Sequence, residues 1–161
     1  NDLGNLLSRL LNMGHRFAGG RIPAASVEEA EERAVLDHWA QLKTDIFELY
    51  ESFQFNKALE RIFAFISELN RYTELRAPWK LSKSEDKADQ LRLETTLAFI
   101  SEGMRLSAIL LQPVMPTVSE KVLSCLNQKP VERFGNMLEW SQQLKGEAFG
   151  EKLILFPKKD S

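Results

Sequence analysis

Apolar residues return every three or four positions through five stretches of this chain, and proline or a glycine pair closes most of them. That period puts a buried stripe on one side of a helix, so helices bearing such stripes must cover one another. Leu3, Leu6, Leu7, Leu10, Leu11, Met13 and Phe17 mark the first helix, from Asp2 to about Phe17, which Gly19 and Gly20 end. Beyond a connection containing Pro23, Ser26 is the expected cap of the second helix, with Glu28, Glu29, Glu31 and Glu32 in a solvated first turn. Its stripe runs from Val35 to Phe53, and His38 and Trp39, on or beside it, read as structural. The third helix spans about Phe55 to Arg76, with Phe55, Leu59, Ile62, Phe63, Ile66, Leu69 and Tyr72 inward. The fourth is expected to be capped near Ser84 and to reach about Leu111; its second half is apolar on several sides, as befits a central helix. Pro113 and Pro116 break the chain before a short fifth helix over residues 117–126. One or two helical turns are expected within residues 136–144, and Leu153 to Pro157 reads as an extended apolar tail. No stretch alternates long enough for a sheet. The expected fold is all-α, an antiparallel bundle of about five helices with an extended C-terminal tail. It forms one domain over residues 1–161, with the bundle in 1–126 and the tail in 127–161 packing back on it.

Composition narrows the function classes. With 161 residues, 43% hydrophobic and 27% charged, the chain can build one core, and it has no apolar run of the roughly 18 residues a membrane span needs. The first twenty residues lack the layout of a signal peptide, and a chain opening on Asn1 is expected to be an excised piece. Cys125 is alone, in an apolar helical run, and is expected in the core. A net charge of -2 and a pI near 5.8 exclude indiscriminate nucleic-acid binding by a basic surface. The charge is uneven, however: residues 1–27 and 52–83 are net positive, and 28–51 strongly negative.

Two histidines and one cysteine make no metal cluster of recognisable spacing, and there is no glycine-rich phosphate loop. No serine or cysteine has a histidine and an acid arranged around it, so no catalytic and no metal residue is expected. Lys80-Leu81-Ser82-Lys83-Ser84 approaches the ATP-binding Lys-Met-Ser-Lys-Ser loop of class I synthetases, but that loop works beside an α/β nucleotide fold, and the match reads as coincidence. What remains is a recognition surface. Asn5, Arg9, Asn12 and Arg16 share one narrow sector of the first helix, opposite the leucines. Pro78 ends the third helix and delivers Trp79 at a turn, with Arg71, Arg76, Lys80 and Lys83 nearby. Unpaired bases are read on their edges by amides and guanidiniums and gripped on their faces by aromatics. Taken singly, these features also fit a wet helix face and a tryptophan that plugs a core.

Four pieces, spanning almost the whole chain in order, together resemble the C-terminal anticodon-binding domain of the methionyl-tRNA synthetases. They are Gly4-Asn5-Leu6-Leu7-Ser8-Arg9; Asn70-Arg71-Tyr72 followed by Ala77-Pro78-Trp79-Lys80-Leu81; Leu111 to Pro116; and Leu155-Phe156-Pro157-Lys158. The resemblance implies binding of the CAU anticodon loop of methionine tRNA, with Asn5 and Arg9 on base edges and Trp79 stacked on the first base. It implies supporting positions at Asn12, Arg16, Asn70, Tyr72, Lys80 and Lys83, with Asn70 and Tyr72 positioning the tryptophan turn. It further implies a catalytic domain of the parent enzyme as partner, to which ATP, Mg and Zn would belong, no cofactor in this domain, and a place in the cytoplasm or an organelle. By itself the chain is expected to bind tRNA and to be catalytically inactive. Two alternatives are the equivalent domain of the synthetases for cysteine, leucine, isoleucine or valine, and a helical protein-interaction module whose tryptophan fills a partner's groove.

Overall fold

A computed structural model describes residues 2–150. Its helices are α1 (Asp2–Phe17), α2 (Ala30–Glu51), α3 (Phe55–Arg76), the one-turn α4 (Pro78–Leu81), α5 (Lys87–Leu111) and α6 (Pro116–Cys125), with a 3-10 turn at Gly135–Leu138. Among the described residues β pairing is confined to an isolated antiparallel bridge between Arg21 and Ala148. The all-α bundle expected from the apolar period is the fold observed.

Successive long helices reverse direction. Asp45 of α2 pairs with Arg61 of α3, Tyr72 of α3 packs on Phe99 of α5 at 5.8 Å, and Ser119 of α6 donates to the Ala108 carbonyl of α5 at 2.6 Å. α1 instead runs the same way as α3, since Asp2 lies beside Ser67 and Asn70 and Arg9 beside Glu74. α5 is the central helix, buried continuously from Thr95 to Leu111 except at Ala98. Gly103 makes that possible: a Cβ there would stand 2.6 Å from the Leu69 methyl carbons, so α3 reaches its distance to α5 through the missing side chain. No helix among the described residues is long and apolar enough to cross a membrane.

The helix starts differ from expectation in two places. The backbone N–H groups of Ser26 and Val27 both donate to Thr95 Oγ1 at 3.0 Å, which straps this stretch to α5, and α2 is capped later, by Glu29 in a reciprocal box with Glu32. α5 is capped by Asp86, whose carboxylate accepts from Ala88 N–H at 3.0 Å, while Ser84 bonds Asp89 at 2.8 Å. Phe55, expected inward, is 41% exposed because the first turn of α3 projects past the core, where its ring meets those of Tyr50 and Phe53.

Beyond α6 the chain returns over the bundle. Trp39 Nε1 donates to the Leu138 carbonyl at 3.2 Å, and the buried Arg105 donates to the carbonyls of Met137 at 2.9 Å and Glu139 at 3.1 Å. The backbone N–H groups of Ile22 and Phe149 donate to the carbonyls of Glu147 and Gly20 at 2.9 and 2.8 Å. The expected tail segment from Leu153 to Pro157 lies outside the described residues.

Candidate nucleic-acid interface

The site begins with the way α3 ends. Proline disfavours the α conformation in the residue before it, and Ala77 sits in the left-handed region at φ 47° and ψ 63°. Pro78 then occupies the first position of α4, where its missing N–H costs nothing, and Trp79 follows.

A buried ionic clamp holds this end of the bundle together. Glu32 of α2 is fully buried; Tyr72 O–H donates to it at 2.6 Å and Arg76 Nε at 2.8 Å. Arg76 also reaches Glu29 at 3.0 Å and Glu31 at 3.5 Å, and Glu29 bonds Arg92 of α5 at 2.8 Å. Burial pushes the Glu32 carboxyl up, but the hydrogen bonds from Arg76 and Tyr72 outweigh it and hold the group below its ordinary range. Burial and the neighbouring Glu32 drive the Tyr72 hydroxyl well above its ordinary value, so it stays a neutral donor. Glu32 is thus buried and not in the solvated first turn expected for it, because Arg76 and Tyr72 of α3 close over its carboxylate. The signal was available: Glu32 stands three and seven residues before Val35 and Trp39, in line with the apolar stripe.

Above the clamp, Trp79 is half-buried, one part of its ring on the core and the rest open. The guanidinium of Arg9 lies over that indole, 5.3 Å from the ring centroid, and pairs with Glu74 at 2.8 Å. Asn5 is exposed one turn earlier on α1, and its side chain makes no hydrogen bond among the described residues. Lys80 and Lys83 are exposed and have no ion pair among the described residues. The Lys80–Ser84 run forms part of α4 and the turn after it, where Ser82 Oγ donates to the Trp79 carbonyl at 3.0 Å.

The other expected residues divide. Tyr72 belongs to the clamp through its bond to Glu32. The Asn70 amide reaches the carbonyls of Ile66 at 3.3 Å and Asp2 at 3.4 Å, tying α3 to the start of α1. Asn12 is exposed on the next turn of α1, and Arg16 is turned onto Phe17, 5.3 Å from its ring centroid. Glu74, which holds Arg9, escaped the sequence reading, since an exposed glutamate on a helix carries no signal of its partner.

The pattern of the anticodon-binding domain of tRNA ligases matches residues 32–154. The chain is 34% identical over 161 residues to a protein of Fusobacterium nucleatum named methionine–tRNA ligase, covering 98% of this chain and 25% of the relative. A protein of the same name from Deinococcus radiodurans is 34% identical over 160 residues, covering 98% of this chain and 23% of its own length. The free-state crystal structure of Mycobacterium tuberculosis methionyl-tRNA synthetase superposes with a TM-score of 0.90 at 32% identity, covering 100% of this chain and 32% of that one. The chain thus spans 23% to 32% of the length of these relatives.

Proposed function

The chain belongs to the anticodon-binding domain family of tRNA ligases, and we propose that it reads the CAU anticodon of methionine tRNA on the surface formed by α1, the end of α3 and α4. The carrying observation is the meeting of Arg9 and Trp79: a planar fork of donors 5.3 Å over an indole that is half open to solvent. In this reading the first anticodon base stacks on Trp79, sharing the indole with the guanidinium. Stacking is indifferent to base identity, so discrimination falls to the edges. Arg9 offers paired N–H donors to acceptor atoms there, and Asn5, one turn away and without a side-chain hydrogen bond among the described residues, offers an amide that both donates and accepts. In this reading the exposed Lys80 and Lys83 meet phosphates, with Asn12 and Arg16 along the same face of α1. Tyr72 acts from beneath, through Glu32 and Arg76, and Asn70 through the seating of α1. The domain works as part of a methionine–tRNA ligase that supplies ATP binding and the transfer chemistry, beside the rest of the translation machinery in the cytoplasm. Alone, it binds tRNA without activating methionine.

The test is a titration of the 161-residue chain with methionine-tRNA anticodon stem-loops, CAU and first-base variants, at several salt concentrations. Changing the first base is expected to cost about 1–3 kcal/mol, the range of a good bidentate contact to a base edge. Equal binding of all loops overturns the anticodon assignment, preference for another loop moves it to another synthetase, and the absence of RNA binding leaves a protein-interaction module.

A further inference from the structure

The opposite end of α3 carries a surface that anticodon reading does not use. Phe47, Phe53 and Phe55 stand 44%, 77% and 41% exposed, joined by the half-buried Tyr50 and Phe134. Their rings form a chain: Phe53 to Phe55 at 6.0 Å, Phe55 to Tyr50 at 6.0 Å, Tyr50 to Phe134 at 6.4 Å and Phe134 to Phe47 at 6.1 Å. Residues 53–57 line an open depression of about 350 Å³ beside it. Contiguous exposed aromatic surface on a folded domain marks a contact site.

The backbone supplies a second, independent observation. α2 ends in a turn in which Phe53 N–H bonds the Tyr50 carbonyl at 3.1 Å and Gln54 N–H the Leu49 carbonyl at 2.8 Å, with Phe53 left-handed at φ 57°. Glycine or asparagine normally fills that position, because a bulky side chain strains there. The same turn at the end of α6 is built with Asn127 at φ 59°, bonded in the same way to Ser124 at 3.0 Å and followed by Gln128 bonded to Leu123 at 2.8 Å. At the α2–α3 turn the chain instead holds a phenylalanine that is both strained and mostly in water, a combination the domain in isolation does not need.

We propose that this aromatic surface is the seat on which the domain docks against the remainder of its own synthetase polypeptide, a proposal that rests on the reading of the chain as part of a synthetase. The relatives supply the occupant: this chain covers 25% of one and 32% of another, so most of each lies outside the domain. The position fits, because the 22 residues of α3 separate the patch from the Trp79 end by about 33 Å, leaving the RNA-facing surface clear. The charge also fits a protein contact. Glu48 and Glu51 are exposed beside the rings and repel a phosphate backbone, while Asn56 and Lys57 complete a mixed polar rim around an apolar centre.

The experiment uses the full-length synthetase containing this domain, and the 161-residue chain alone, each with Phe53→Asn and, separately, Phe47→Ser. Asparagine suits the left-handed backbone and removes the ring. The Phe53→Asn chain alone should therefore melt at the same or a higher temperature and bind a CAU stem-loop as the parent does. In the full-length enzyme both variants should speed limited proteolysis between the domain and the rest by about 5- to 30-fold, the effect of losing a central interface aromatic. Unchanged proteolysis in both variants overturns the proposal. So does sedimentation showing that the parent chain self-associates and Phe53→Asn abolishes it, or weakened stem-loop binding by Phe53→Asn, which would make the patch an RNA contact. Failure of the parent chain to bind any stem-loop, with proteolysis still accelerated, would sink the anticodon reading and leave the docking surface standing.

Discussion

The two ends of α3 are built on the same backbone device and braced by opposite chemistry. Each is flanked by a residue other than glycine in the left-handed region, Phe53 at φ 57° before the helix and Ala77 at φ 47° after it. At the Ala77 end, Glu32, Tyr72, Arg76, Glu29 and Arg92 lock three helices with directional, charge-assisted bonds. At the Phe53 end the neighbours are aromatic rings about 6 Å apart, which attract without demanding one geometry. A directional clamp suits a surface that must present an indole and a guanidinium in fixed relation. A ring cluster suits a surface that mates with another apolar face.

The sharpest way to break this contrast is to remove the centre of the clamp. Glu32→Ala takes from Tyr72 and Arg76 the buried carboxylate they share, leaving Arg76 to Glu29 and Glu31, and should cost about 3–5 kcal/mol in urea unfolding, as breaking buried pairs does. Phe55→Ala, at the exposed end, should cost far less; comparable losses would mean that the ends are not braced differently. Next in size, Trp79→Ala should weaken stem-loop binding by about 1–3 kcal/mol, the worth of one stacked base. Phe47→Ala should leave that affinity alone, and the same titration reads both.

Acid and base should also separate the regions. Glu29, helped first by its bond to Arg92, and Glu32 and Asp89 are held below their ordinary ranges. Such depressed acids contribute stability that is present above their unfolded-state values and lost as pH falls through their folded ones, so strong acid should loosen the Trp79 end. Glu102 behaves in the opposite sense. Burial raises it from 4.5 to about 7 against the pull of Arg105, and one of its carboxylate oxygens has no hydrogen-bond partner among the described residues. The folded chain keeps a proton there that the unfolded chain has released, so stability should fall as pH rises from about 4.5 to about 7. Arg105, its partner, holds the Met137 and Glu139 carbonyls of the loop that carries Phe134. Unfolding measured across that window should slope downward in the parent and flatten in Glu102→Gln; equal slopes would remove Glu102 as the cause. The smallest effect is expected at Glu74, which is largely exposed and holds Arg9. Glu74→Gln should free the guanidinium and tighten stem-loop binding by less than about 1 kcal/mol, the ceiling for a surface pair.

What could be read from the residues alone was whatever depends on near neighbours in the chain. The period of Leu3 to Phe17 and of Leu59 to Tyr72 places α1 and α3 at Asp2–Phe17 and Phe55–Arg76, and Pro78 dictates the turn that presents Trp79. The polar face of α1 follows from the same arithmetic of 100° per residue. Contacts between distant segments lay beyond that reach. The capping of α2 at Glu29 depends on Thr95 of α5 drawing in Ser26 and Val27, and the exposure of Phe55 on where the core stops. Glu32 is buried because Arg76 and Tyr72 arrive beside it from another helix. Arg9 rests over Trp79 and against Glu74 because α1 runs alongside the last turns of α3. Periodicity determines which face of a helix turns inward, while the partner each side chain meets is decided only when the helices pack.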